Sequence, residues 1–186
     1  MRVFLRKPKW IAYVLLFIIL AQFLPQFLRY HFANDDWKDV RSKDYGYGLS
    51  YPANWVLEQY HGKYRSYDDI VAIIGDTNGI APARSLIMVF WRRSDTPNLE
   101  NTADWGQATI KQIGGFDISG LEETFIGTNN LPALRQSFHY DKGYEGFTFY
   151  AVGNNAEYIF FFGSKAEETD IAGEFKKILS SIILFD

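Results

Sequence analysis

The chain has 186 residues with 18% aromatic side chains, 16 Phe and 12 Tyr against 2 Met, and no Cys. Without Cys there is no disulfide, no thiolate nucleophile and no thiolate-ligated metal, and the three histidines (His31, His61, His139) lack ligand spacing. The net charge of −3 divides unevenly, about +5 over residues 1–31 and −8 over the remainder. An acidic domain is repelled by phosphate backbones, so nucleic acid is disfavoured as a partner.

Arg2, Arg6, Lys7 and Lys9 precede the run WIAYVLLFIILAQFL (residues 10–24), whose one polar side chain is Gln22; continued to Leu28 it reaches 19 residues. That is just sufficient for a helix to cross about 30 Å of hydrocarbon. The basic flank predicts a cytoplasmic amino terminus, with Trp10 and Tyr13 at one interface and Leu16, Phe17, Leu20, Phe23 and Leu24 toward lipid. A cleaved signal peptide has the same basic and apolar regions but needs a small-x-small site, and AQFLPQFLRYHF has none. In either case the acidic domain lies outside the cytoplasm. The expected division is a basic tip and single transmembrane helix over 1–31, a polar juxtamembrane connector over 32–45, and a soluble domain over 46–186.

From Gly46 the pattern is one of strands. Gly48–Tyr51 and Trp55–Tyr60 flank a Pro52-Ala53-Asn54 turn, and Ile70–Ile74 and Ser85–Trp91 are continuous apolar runs expected to be covered on both faces. The turn-rich stretch Gly75–Arg84 separates them as a loop. Residues 100–113 predict a helix with Trp105, Ala108 and Ile113 on one stripe, stopped by Gly114–Gly115. Gly120–Gly127, Pro132–Asp141, Tyr144–Gly153 and Ala156–Gly163 follow as strands joined by short turns, hence antiparallel neighbours. Ile171, Phe175, Ile178, Leu179 and Ile182 then form the apolar stripe of a closing helix, with Ser164–Glu167 as a capping box or Thr169 as its cap. Two apolar helix stripes on an antiparallel sheet define an α+β layer architecture.

No catalytic constellation assembles from these elements. Ser137 and His139 alternate along one strand at about 6.6 Å, too far for a nucleophile and its base. The pairs Asp35–Asp36, Asp68–Asp69 and Glu122–Glu123 place neighbouring carboxylates on opposite faces or in solvated loops. Gly75–Gly79 lacks the Lys-Ser/Thr ending of a phosphate loop. Trp91-Arg92-Arg93, a basic-aromatic strand end in an acidic domain, has the residue types of a protein-binding hot spot, and an ordinary solvated strand end has them too. No enzyme activity, cofactor or metal centre is expected.

Two stretches carry a family resemblance. YGYGLSYPANWVLEQ (Tyr45–Gln59) is similar to the opening of PsbP-like domains, a short strand ending in Tyr-Pro followed by a Trp strand. EFKKILSSIILF (Glu174–Phe185) resembles the final helix of the same superfamily. The resemblance spans about residues 45–186 and implies an antiparallel sheet flanked by helices, an α/β/α sandwich preceded here by the transmembrane helix. It also implies a non-catalytic extracytoplasmic factor that binds, stabilises or helps assemble photosystem II or a related membrane complex. PsbP's basic amino-terminal region is replaced by an acidic connector with Asp35, Asp36 and Asp39, so the resemblance does not extend to photosystem II itself as partner. The expectation is an accessory or assembly factor of a photosynthetic or respiratory membrane complex, single-pass in an inner or thylakoid-type membrane, docking through Trp91, Arg92 and Arg93. The alternative is a ligand-binding or sensing domain using Gly75–Arg84 and the aromatics Phe147, Tyr150 and Tyr158.

Overall fold

The three ten-residue strands near the centre of the domain owe their length to tight turns at residues that tolerate a left-handed backbone. In the computed structural model, which describes residues 36–60, 69–76, 84–153, 155–165 and 171–185, β8 (Leu131–Tyr140) turns into β9 (Tyr144–Gly153) with Gly143 at φ 80°. β9 turns into β10 (Ala156–Lys165) with Asn155 at φ 54°. β10 lies mid-sheet, buried over its first eight residues, because AEYIFFFG sends large side chains to both faces.

Around it, β3 (Val56–Gln59), β4 (Ile70–Gly75), β5 (Ser85–Arg93) and β6 (Phe116–Ile118) complete a large antiparallel sheet of order β3-β4-β5-β10-β9-β8-β6. β7 (Glu122–Ile126) pairs with the other end of β8. A second sheet, β1-β2-β11, joins Trp37–Ser42, Tyr47–Pro52 and Ile183–Leu184. The helices are α1 (Leu99–Ile113) and α2 (Ile171–Ser181). Residues from Trp37 onward belong to one unit.

The faces of the large sheet are covered differently. On one, Ile87, Val89, Phe149, Phe160 and Phe162 pack with Tyr47, Leu49 and Tyr51 of the small sheet, with Trp55, and with Ile178 and Ile182 at the end of α2. On the other, Phe90, Phe138, Tyr150, Ile159 and Phe161 pack with Ala103 of α1. The expected α/β/α sandwich is therefore corrected. The domain is mostly antiparallel β-sheet with two helices among the described residues, and a small sheet supplies much of one cover. The reason is that Val40, Tyr47, Leu49 and Tyr51 turn inward on paired strands, so an apolar layer forms without further helices. Residues 37–42, expected within a connector, are β1 of that layer.

No helix among the described residues is long and apolar enough to cross a membrane. The expected transmembrane segment 10–28 lies outside the described residues, as does Glu167 of the expected capping box. The α1 stripe is also corrected. Thr102, Ala103, Gly106 and Ile110 are buried and Ala108 is exposed, because the side facing the sheet runs i, i+3, i+7 from Ala103.

The two stretches that resemble PsbP-like sequence meet in space. Leu184 and Ile183 of β11 pair with Tyr47 and Gly48 of β2, and Ser50 donates its backbone N–H to Ser181 Oγ at 2.8 Å. Gly46, at φ 66°, lies where a Cβ would come within 2.6 Å of the Phe185 carbonyl oxygen; its own carbonyl accepts from Phe185 N–H at 2.9 Å. The Tyr158 hydroxyl donates to Tyr45 O at 2.8 Å and ties this corner to the central strand.

Candidate functional site

β5 and β10 deliver two opposite charges to one point. Their register sets Arg92 directly across from Glu157 on the face that carries α1, and opposed residues of an antiparallel pair share a face. Arg92 Nε donates to Glu157 Oε2 at 2.6 Å, and Nη2 pairs with the same oxygen. The Glu157 side chain is 2% exposed and that of Arg92 36%, so a buried carboxylate is neutralised by a cation reaching in from the surface.

Helix α1 holds the arginine from above. Asn98 caps the helix, its Oδ1 accepting from Glu100 N–H at 2.8 Å and Asn101 N–H at 3.2 Å. This fixes the first turn, where the Asn101 carbonyl accepts from Arg92 Nη2 at 3.3 Å. One turn on, the Trp105 ring lies 4.5 Å from the guanidinium carbon, a cation–π contact. Beside this assembly opens a pocket of about 530 Å³ lined by Arg92, Arg93, Ser94, Thr96, Asn101, Asp104, Trp105 and Glu157. It presents an indole face, guanidinium groups and short polar side chains, a suitable set for a protein side chain or peptide segment.

The expected Trp91-Arg92-Arg93 cluster is divided by strand alternation. Trp91 packs on the opposite face, edge-on to Tyr45 at 5.2 Å, and belongs to the core under the small sheet. Arg92 is held by Glu157, and Arg93 is exposed at the pocket rim. The expected anchor residues Trp10, Tyr13, Leu16, Phe17, Leu20, Phe23 and Leu24 lie outside the described residues. Asn101 and Glu157 carry no motif in the sequence, and Trp105 enters the sequence reading only as part of the expected helix stripe, not as a site residue. Glu157 does leave a signal, as the lone carboxylate inside AEYIFFFG, where a buried acid demands a partner.

The other candidates do not converge. His139 is exposed on β8, Ser137 is half-buried two residues before it, and Phe138 between them turns to the opposite core. Tyr150 is fully buried under α1 and donates to Gln136 Oε1 at 2.9 Å, and burial pushes its phenol upward. Tyr158 lies in the opposite core, and Phe147 packs at that core's edge beneath Arg135, 3.9 Å from the guanidinium carbon. These aromatics are packing residues on two faces rather than the walls of one ligand cavity. Asp76, at the start of the Gly75–Arg84 loop, closes the loop base by accepting from Arg84 N–H at 2.7 Å and Ser85 N–H at 3.0 Å; residues 77–83 lie outside the described residues. Among the described residues no group of His, Asp and Glu converges as a metal site.

The architecture, a large antiparallel sheet between a small sheet and single helices, is that of a PsbP-like fold. The solution structure of cyanobacterial PsbP (CyanoP) from Synechocystis sp. PCC 6803 aligns with a TM-score of 0.60 at 12% identity, covering 80% of this chain and 92% of that one. A crystal structure from Bacteroides thetaiotaomicron aligns with a TM-score of 0.47 at 10% identity, over 80% of this chain and 48% of that one. No family model and no curated protein matches the sequence.

Proposed function

We propose that this protein is a non-catalytic accessory subunit or assembly factor of a membrane protein complex of photosynthetic or respiratory electron transfer, held on the extracytoplasmic side. The observation that carries the reading is the fold likeness to cyanobacterial PsbP over nearly the whole of that chain. The apolar run 10–28 behind a basic flank supports attachment to a membrane, which raises the local concentration of the domain near a membrane partner. The pocket beside Arg92 and Trp105 offers residue types that dominate protein–protein contacts.

The test is extraction in mild detergent, native gel separation and mass spectrometry of the co-migrating chains. Co-migration with an electron-transfer complex is the expected result. Migration as a free monomer, with nothing captured by gentle crosslinking, refutes the proposal.

A further inference from the structure

We infer that β7 is a docking edge, extended by a strand of a partner protein that sets a basic residue against Glu123 and an apolar residue against Phe125. This inference rests on the accessory-factor reading above.

Topology sets the edge. β9 lies along one side of β8, and β7 and β6 lie along the other, β7 opposite Leu131–Arg135 and β6 opposite Phe138–Tyr140. Among the described residues β7 pairs with β8 alone. The backbone N–H and C=O groups that alternate away from β8 are therefore offered outward along the five residues Glu122–Ile126. An added strand satisfies these groups, and side chains on the two faces set which strand is accepted.

Those side chains are unengaged on one face. Glu123 opposes Leu134, which packs with the α1-side core, and Phe125 opposes Pro132, so alternation puts Glu123 and Phe125 together on the α1 side. Phe125 is 65% exposed, the most exposed large apolar side chain among the described residues, and Pro132 across from it is exposed as well. Glu123 is exposed and in no ion pair among the described residues. On the opposite face Glu122 is engaged by Arg135 at 3.2 Å. The other edge strands have engaged their equivalents. On β3, Val56 is 44% exposed, but Glu58 accepts from the Tyr60 hydroxyl. On β1 the Lys177 ammonium sits 4.0 Å over the Trp37 ring, and Asp39 accepts from Ser50 Oγ at 2.6 Å. On β6 Phe116 stacks on Tyr140 at 4.4 Å, and β11 is two residues long.

Charge selects the occupant. β6 and β7 carry Asp117, Glu122 and Glu123 and no base, and residues 32–186 hold a net charge of about −8. A second copy would bring the same acids to the same edge and is repelled, as is anionic lipid. A segment bearing Lys or Arg is attracted, and its cation has one unpaired strand carboxylate to meet on the α1 side, Glu123. With the cation there, alternation sets the residue two positions along against Phe125, where an apolar side chain covers the ring. The two-residue spacing holds whether the added strand runs parallel or antiparallel to β7.

The test places benzoylphenylalanine at Phe125, or at Val56 on the β3 edge, in the full chain in its native membranes, and sequences the labelled peptides after illumination. The expected result is that the Phe125 probe labels one segment of a co-migrating chain, with Lys or Arg two residues from an apolar side chain, and that the Val56 probe does not label it. Glu123→Lys and Phe125→Ser each lower the co-migrating fraction about tenfold, as loss of a hot-spot contact does, and Val56→Ser leaves it unchanged. Glu123 and Phe125 are exposed, so thermal unfolding of these variants stays at the wild-type midpoint. Replacing the labelled Lys or Arg by Glu restores co-migration of the Glu123→Lys variant. In the wild-type complex the amides of residues 122–126 exchange hydrogen more slowly than in the free protein, as strand addition requires. A labelled segment without a basic residue, a charge swap that restores nothing, unchanged exchange in β7, label in a second copy or in lipid, or undiminished co-migration of both variants refutes the docking edge and leaves the accessory role standing. Migration of the wild-type chain by itself refutes both.

Discussion

Replacing Arg92 with Ala should destabilise the domain out of proportion to the exposure of the side chain it removes. The cost falls on Glu157, whose carboxylate is 2% exposed and loses the guanidinium that neutralises it. Breaking a buried pair from one side typically costs about 3–5 kcal/mol, against at most about 1 kcal/mol for an exposed pair. Arg92 is 36% exposed, and water can reach the space it vacates, which favours the lower end of that range. Loss of the contact with Trp105 adds about 0.5–1 kcal/mol. The expected sum is about 3–4 kcal/mol, or a fall in Tm of roughly 6–16 °C at about 2–4 °C per kcal/mol for a domain of this size. Urea unfolding at neutral pH measures it, read from the midpoint at unchanged slope. The double variant Arg92→Ala/Glu157→Gln removes the stranded charge and should recover more than half of the loss. If the single variant costs under 1 kcal/mol, or the second substitution recovers nothing, the carboxylate is not buried as described and the reasoning fails.

Three further perturbations test the packing. Gly106→Ala places a methyl group 2.3 Å from Tyr150 Cε1. It should therefore lower stability by about 1–3 kcal/mol, although Gly to Ala in a free helix raises it by roughly 0.5–1 kcal/mol; a higher Tm would show that α1 does not touch the sheet there. Asn98→Ala removes the acceptor for Glu100 and Asn101 N–H and should cost about 1 kcal/mol in denaturant unfolding, with Asn98→Asp close to wild type. Burial holds the Tyr47 phenol up at about 12, against a lowering contribution from Gln59 beside it. Its folded value exceeds the unfolded value of about 10, so its contribution is complete below pH 10 and is lost as pH rises toward 12, in all about 2–3 kcal/mol. Tyrosinate absorbance should show this group titrating late, and Tyr47→Phe should flatten the alkaline fall in stability, with a residue left from Tyr150; an unchanged profile would contradict the burial.

Much of this organisation is legible along the chain. The apolar runs 70–74 and 85–91 become β4 and β5, the KG and NN turns fall between β8, β9 and β10, and the helix expected over 100–113 forms over Leu99–Ile113. These are local signals, because periodicity, left-handed turn residues and a stopping glycine act within a few residues. β1, β6 and β11 escaped because each is short and polar or follows a helix directly, and their strand character is supplied by a neighbour across the ladder. The candidate site shows the same division. The basic-aromatic signal at the end of β5 is visible in the sequence, but grouping all three residues Trp91, Arg92 and Arg93 treats adjacency as a shared face, and alternation sends Trp91 into the core opposite Arg92.

The amino-acid sequence by itself determined the strand-rich composition, the antiparallel meander from β8 to β10, both helices, the charge asymmetry and the resemblance carried by Tyr45–Gln59 and Glu174–Phe185. Only the tertiary structure decided that these two stretches pair, that a small sheet takes the place of a helical layer, and that Glu157 is the partner of Arg92. The physical reason is range. Backbone preference is written in neighbouring residues, whereas a partner 65 residues away is selected by sheet register and by the cost of leaving a charge alone in an apolar interior.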